Sequence, residues 1–275
     1  MAARTLDPPG DRHIRTNQAR RVVVTGAADG IGLACCETLR REGWNVVMVD
    51  VDGERLAERA SRLGAPHHVV DVTDADALSA LADALEHRDP ELGPIEGLVN
   101  SAGIVQKPLP PELLPLAEYD RVIAVDQRGT YLSCVAFGRH MAARRRGSIV
   151  NIASITGMRS VPLHAYGPAK AAVIATGECL AAEWGPSGVR VNTVSPGYTF
   201  TERVRRRVET GERALEHMTG TSALGRVVQP SEIADAVSFL LSNRSSAITG
   251  VNIPVDCGWL LAPSWSTYGG LRHPV

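Results

Sequence analysis

Tyr166 and Lys170 stand four residues apart in the stretch Tyr166-Gly167-Pro168-Ala169-Lys170, and Ser154 lies twelve residues ahead of the tyrosine. On a helix, side chains four apart share one face, with Cβ atoms about 5–6 Å apart. Pro168 is compatible with a helix that starts near Tyr166, because the first turn leaves its N–H groups unpaired in any case. A phenol titrates near pH ~10 and is a poor base at neutrality. A neighbouring ammonium favours the phenolate. The pair is therefore expected to exchange a proton with an alcohol or a ketone near working pH. Ser154 follows the apolar run Ser148–Ala153 and is placed to hold the substrate oxygen beside the tyrosine. A Tyr and a Lys at this spacing also occur as ordinary surface pairs, so the reading depends on the elements around them.

Those elements begin with a buried strand, Arg21–Thr25, followed by Gly26-Ala27-Ala28-Asp29-Gly30-Ile31-Gly32 and a helical pattern from about Ile31 to Glu42. A strand, a glycine-rich turn and a helix N-terminus place backbone N–H groups against a pyrophosphate. The spacing is G-x-x-x-G-x-G rather than the common G-x-G-x-x-G. A second strand, Asn45–Val49, ends in Asp50, 24 residues after Gly26. A dinucleotide fold puts the ribose-binding carboxylate there. Its charge and that of Asp29 repel a 2′-phosphate, so NAD is expected rather than NADP. Val69–Val72 reads as a third strand with Asp71 at its tip, Ala75–Leu85 as an amphipathic helix, and Pro94–Val99 as a fourth strand leading into Asn100-Ser101-Ala102-Gly103. Alternating strands and helices with short connections imply a parallel sheet with crossover helices. Ligands in such sheets bind beyond the carboxyl ends of the strands, where the Gly26 turn, Asp50, Asp71, Asn100 and Ser154 all fall.

Composition bounds the alternatives. The 275 residues suit one large α/β domain. A hydrophobic fraction of 44% supports a sizeable core, and only 4% aromatics means a core of Val, Leu, Ile and Ala. A net charge of −1 gives no electrostatic footprint for nucleic acid or an anionic membrane. The five cysteines show no C-x-x-C spacing, so neither metal ligation nor a disulfide framework is expected, and a reducing cytoplasm is. No apolar run approaches the ~20 residues of a membrane span. Residues 1–20 read as a flexible tail without the apolar core of a secretion signal.

Taken together, Thr25-Gly26-x-x-x-Gly30-Ile31-Gly32, Asp71-Val72, Asn100-Ser101-Ala102-Gly103, Ser154, Tyr166-x-x-x-Lys170, Asn192-x-Val194-x-Pro196-Gly197 and Thr201 resemble the short-chain dehydrogenase/reductase family over roughly residues 20 to 260. The resemblance implies an α/β fold: a single Rossmann-like, doubly wound domain (residues 21–259) with a parallel sheet of about seven strands and helices on both faces. It implies that Gly26, Gly30 and Ile31 line the pyrophosphate, with Asp29 among the cofactor-binding residues of the same turn, and that Asp50 takes the adenosine ribose. Asp71 and Val72 would meet the adenine, and Asn100, Ala102 and Gly103 would run beside the riboses. Lys170 would bind the nicotinamide ribose as well as tuning Tyr166. Pro196, Gly197, Thr199 and Thr201 would hold the nicotinamide and diphosphate. Two departures stand out. Asp126 occupies a position where the family usually has an Asn that carries a water linking the lysine to solvent, and Ser101 stands where a second Asn is common. A carboxylate accepts hydrogen bonds but has no amide donor, and it favours the ammonium form of Lys170. Asp126 is expected to keep the relay role.

Residues Phe200 to Met218 correspond to the family's mobile lid, and Arg203, Arg205, Arg206 and Arg207 within it are expected on a solvated face, with an anionic substrate as the alternative. Ile155, Met158, His164 and Tyr198, with Val161 and Leu163, are expected to border the substrate. The extension from Leu260 to Val275 carries Trp265 and Tyr268. It is read as packing either at a subunit interface or on its own subunit. The small-residue helix after Lys170 resembles the one through which family members form homotetramers. The function expected is hydride transfer between NAD(H) and a small secondary alcohol or ketone, cyclic, sugar or polyol. The rivals are a 3-oxoacyl-thioester reductase and a non-catalytic NAD-binding regulator.

Overall fold

The computed structural model describes residues 20–87 and 92–272. The expected N-terminal tail therefore lies outside the described residues apart from Arg20.

Seven strands form one parallel sheet in the order β3-β2-β1-β4-β5-β6-β7. They are β1 (Arg21–Thr25), β2 (Asn45–Asp50), β3 (His67–Val69), β4 (Ile95–Asn100), β5 (Gly147–Ile152), β6 (Val189–Pro196) and β7 (Asn252–Val255). The helices that matter for packing are α1 (Gly30–Arg41), α2 (Gly53–Leu63), α3 (Ala75–His87), α4 (Leu116–Val122), α5 (Thr130–Ala143), α6 (Tyr166–Trp184), α7 (Glu202–Glu209), α8 (Glu216–Thr219) and α9 (Pro230–Leu241). The doubly wound parallel fold is the one expected from the alternation of apolar runs.

Successive strand residues point to opposite faces, and both faces here are apolar. Val22, Val24, Val46, Met48, Val150 and Val194 pack against α1 and α9, whereas Val23, Val47, Val49, Leu98, Ile149 and Val191 pack against α3 and α5. The core is built mainly of Val, Leu, Ile and Ala, with Trp44 and Phe137 as its large aromatics.

The chain runs outward from β1 to β3 and then crosses back to lay β4 on the other side of β1. This reversal opens a crevice at the carboxyl ends of β1 and β4. Thr25 and Asn100 are directly paired there, and Asn100 pairs in turn with Asn151. One boundary differs in a way that matters. The third strand is His67–Val69 rather than Val69–Val72, because pairing to β2 begins at Met48–His67 and ends at Asp50–Val69. Val70 makes one last bond to the Asp50 carbonyl, at 3.0 Å. Asp71 and Val72 therefore lie beyond the strand, free to turn over the crevice.

Candidate active site

Tyr166 opens α6, as the Pro168 position implies. The residue before it, Ala165, has no side chain to cap the helix. Gln106, from the loop after β4, supplies the cap: its Oε1 accepts from the N–H of Ala165 at 2.6 Å and of Tyr166 at 3.1 Å. Ser154 stands just past β5 and accepts from the N–H of Thr156 at 3.2 Å, starting a short turn. Gly157 in that turn lies against α6, where a Cβ would come within 2.7 Å of the Ala171 nitrogen. The glycine lets the Ser154 loop and the Tyr166 helix approach. Lys170 folds back so that its Nζ is 5.5 Å from the Tyr166 ring centre.

Asp126 is fully buried and meets Lys170 directly, with Oδ2 3.1 Å from Nζ. Its other oxygen accepts from the N–H of Ile104 at 2.9 Å, and Nζ also donates to the Ile152 carbonyl at 3.1 Å. Asp126 lies in a π-helical turn, Ile123–Gly129, that joins α4 to α5. Such turns change the direction of side chains within a helix and recur at functional sites. Gly103 leaves room for the pair, since a Cβ there would be 3.0 Å from Asp126 Oδ2 and 3.3 Å from Nζ.

These contacts set the proton affinities. Burial opposes the Lys170 ammonium, but Asp126 and then Tyr166 outweigh it, and the amine is held above its ordinary range. For Tyr166, burial raises the phenol most. Lys170 lowers it, Asp126 raises it, and Ser154 and Arg203 lower it further, with a net upward shift. The sequence expectation was a lowered phenol. Partial burial and the buried carboxylate opposing Lys170 reverse the sign in this protein.

Gly26 leaves β1 with φ +67 and lies so close to Ala102 that a Cβ would fall 2.6 Å from its nitrogen. A Cβ on Gly32 would meet the Gly26 carbonyl oxygen at 2.0 Å. The turn is thus a bare backbone cradle in front of the α1 N-terminus, which suits a pyrophosphate. Asp29 caps α1 through the N–H of Gly30 at 2.7 Å. Asp50 accepts from the N–H groups of Ala28 at 2.9 Å and Asp52 at 3.0 Å. Each oxygen of a carboxylate has a second lone pair, which leaves capacity for ribose hydroxyls. A residue that sequence reasoning missed is Arg55 of α2, which pairs with Asp29 at 3.1 Å and Asp52 at 3.7 Å.

One cleft of about 540 Å³ joins the two halves. Gly26, Asp29, Gly30, Ile31, Asp50, Asp71, Val72, Ala102, Gly103, Ser154, Tyr166, Lys170, Pro196, Gly197, Tyr198, Thr199 and Thr201 all line it. Asp126 stands behind Lys170. Asn100 does not line the cleft; its buried amide donates to Asn151 Oδ1 at 2.8 Å and Cys134 Sγ at 3.1 Å, tying β4 to β5. Ile155 is buried beneath the turn. Met158 and His164, with Val161 and Leu163, line a separate hollow on the far side of the Ser154 loop. Of the four expected pocket residues, only Tyr198 borders the main cleft, stacked edge-on with Trp259 at 5.9 Å. The lid arginines also divide: Arg203 lines the cleft, and so does Arg121 of α4. Among the described residues no group of three metal-ligating side chains occurs, and no helix is long and apolar enough to cross a membrane.

A doubly wound sheet, a glycine cradle at its switch point and a Ser-Tyr-Lys set in the same cleft define a nicotinamide-dependent oxidoreductase working between CH–OH and C=O groups. The curated relatives named for polyol oxidation agree with this class, whereas the matching family model and one similar structure carry names of other chemistry. A family model described as enoyl-(acyl carrier protein) reductase matches residues 26–260. D-threitol dehydrogenase of Mycolicibacterium smegmatis is 37% identical over 247 residues, 87% of this chain and 92% of that protein. Galactitol 2-dehydrogenase (L-tagatose-forming) of Cereibacter sphaeroides is 39% identical over 245 residues, 86% of this chain and 93% of that one. A crystal structure described as ribose-5-phosphate isomerase from Brucella melitensis 16M superposes with a TM-score of 0.89 at 52% identity, over 94% of this chain and 98% of that one. The chain belongs to the short-chain dehydrogenase/reductase family.

Proposed function

We propose that the protein is an NAD-dependent dehydrogenase of small secondary alcohols, of the polyol type that its curated relatives are named for. The observation that carries this reading is the convergence of Ser154, Tyr166 and Lys170 on a cleft continuous with the glycine cradle. In the oxidative direction Ser154 orients the alcohol oxygen and the Tyr166 phenolate takes its proton. Lys170 holds the phenolate and Asp126 holds Lys170. The nicotinamide, when bound, accepts the hydride. Asp50 and Asp29 at the ribose end favour NAD over NADP, because a 2′-phosphate would face two carboxylates. Arg55, a guanidinium at that end, is engaged by Asp29 and Asp52. Asp71, Val72, Ala102 and Gly103 would border the adenosine and nicotinamide riboses, and Pro196, Gly197, Thr199 and Thr201 the nicotinamide and diphosphate.

The same reading includes a cytoplasmic homotetramer assembled through α6, in one catalytic domain over residues 21–259. Ala171, Ala175 and Ala182 are exposed on one face of that helix. The extension fits a subunit interface, since Trp265 and Tyr268 are 47% and 86% exposed on the single chain.

The test is a turnover screen at the NADH absorbance, pairing NAD or NADP with polyols, cyclic alcohols and hydroxy acids. NAD-linked oxidation of one group is the expected result. Turnover with NADP alone would overturn the Asp50 argument, and NADPH-linked reduction of a 3-oxoacyl thioester would favour that rival. Binding of NAD without any turnover would favour a regulator. Aldose–ketose isomerisation needs no dinucleotide, so ribose 5-phosphate incubated without NAD tests the chemistry named for the 52%-identical structure.

A further inference from the structure

Asp29, Asp50, Asp52 and Arg55 close a ring of contacts at the dinucleotide end of the cleft. Asp50 ends β2, and its two oxygens accept from the N–H groups of Ala28 at 2.9 Å and Asp52 at 3.0 Å. Asp29 follows Ala28 and caps α1, its Oδ1 accepting from the N–H of Gly30 at 2.7 Å. Asp52 caps α2, its Oδ1 accepting from the N–H of Arg55 at 3.2 Å. The Arg55 side chain joins the two caps through their remaining oxygens. Its Nη1 donates to Asp29 Oδ2 at 3.1 Å, and its Nε lies 3.7 Å from Asp52 Oδ2. Arg59, one turn along α2, is paired with Glu202 at 3.4 Å.

Asp29 and Asp50 line the cleft, whereas Arg55 and Asp52 stand outside its lining. The ring therefore holds a guanidinium directly behind a carboxylate of the cleft wall. Three carboxylates here face one guanidinium. A phosphomonoester carries roughly −1.5 to −2 charges near pH 7. A 2′-phosphate would meet a wall of net negative charge, while the planar fork that matches a phosphate is spent on Asp29 and Asp52. The ribose hydroxyls of NAD need only acceptors, and Asp50 offers them. Exposed ion pairs contribute little to folding stability. The effect of the ring therefore lies in where it points the guanidinium.

Resting on the NAD-dehydrogenase reading, we infer that Asp29 sets the cofactor preference of this enzyme by sequestering Arg55, which is a latent 2′-phosphate ligand one substitution away from use.

Asp29→Asn isolates this role. Asparagine caps a helix as well as aspartate does, so the bond to the N–H of Gly30 is kept. The oxygen held by Arg55 becomes an NH₂ donor, which cannot accept from a guanidinium. Dissociation constants for NADH and NADPH are measured by fluorescence, with no alcohol present, so the result does not depend on knowing the substrate. The wild type should bind NADH more tightly than NADPH. Asp29→Asn should improve NADPH binding relative to NADH roughly ten- to a hundredfold. Asp29→Asn/Arg55→Gln should lose most of that gain, and Asp29→Asn/Arg55→Lys should keep part of it, because an ammonium has the charge without the fork. An unchanged ratio in Asp29→Asn would overturn the inference. So would a gain that survives in Asp29→Asn/Arg55→Gln, because it would come from lost repulsion by Asp29 alone. A wild type that binds NADPH as tightly as NADH would remove the NAD reading itself, and one that binds neither would remove the dinucleotide site, each taking the inference with it.

Discussion

Tyr166 faces three charges of mixed sign: Lys170 on its own helix, Asp126 from the π turn and Arg203 from α7. The aspartate is the unusual one. It opposes the phenolate by its own charge and ties the ammonium that would stabilise that phenolate. Asp126→Asn keeps the shape of the side chain and removes the charge. Its removal lowers the proton affinity of Tyr166, so the acid limb of the kcat/KM profile for alcohol oxidation should move to lower pH, by about one unit. A profile that stays in place, or moves to higher pH, would show that Asp126 does not act through Lys170. Tyr166→Phe should lower kcat by roughly 10²–10⁴-fold and leave NADH binding, followed by fluorescence, within a small factor of the wild type. That Tyr166 and Lys170 share a helical face was legible from their spacing, because four residues is about one helical turn, whereas reading them with Ser154 as a proton-handling set depended on the surrounding elements. The contact of Asp126 with Lys170 was not, because it joins residues 44 apart in the chain.

At the scale of elements, the start of α6 decides where the phenol sits. A helix whose flanking residue is alanine lacks its own cap, and Gln106 provides one from 60 residues away. Gln106→Ala should cost about 1 kcal/mol of stability. It should lower kcat while NADH binding holds, because the cap sets the position of Tyr166 and not the glycine cradle. Equal kcat in the variant would remove Gln106 from the positioning of the site. The glycine turn makes the complementary case. Gly26→Ala forces a left-handed backbone on a residue with a Cβ, about 1–2 kcal/mol, and drives that Cβ to 2.6 Å from Ala102 N. Thermal unfolding should come several degrees earlier and NADH affinity should fall. The strand-turn-helix reading around Gly26 came from local pattern, and the helix starts there as the pattern requires. The bounds of β3 did not follow from local pattern, because the valine-rich stretch Val69–Val72 continues past Val69, the last residue that β2 pairs.

For the whole molecule, the reversal of strand order between β1 and β4 gathers chemistry from distant parts of the chain at one edge. The sheet brings Asp50, Asp71, the Ser154 loop and the Pro196-Gly197 turn into one cleft. The proposed homotetramer belongs to this scale. Ala175 is exposed on α6, and Ala175→Arg should convert a tetramer of about four chain masses, measured by light scattering, to a smaller species. A wild type that elutes as a monomer would remove the interface from the proposal.

The sequence by itself determined the elements and most of the chemistry. Short continuous apolar runs specified the strands, the glycines at 26, 30 and 32 specified a bare turn, and the four-residue spacing put Tyr166 and Lys170 on one helical face. These signals are local: each depends on residues within a turn or a strand of one another. Only the tertiary structure decided that Met158 and His164 line a hollow apart from the cleft that holds Ser154 and Tyr166. It also decided that Asp126 closes on Lys170. Those outcomes depend on how separate elements cross above the sheet, and that geometry has no periodicity in the chain from which it could be read.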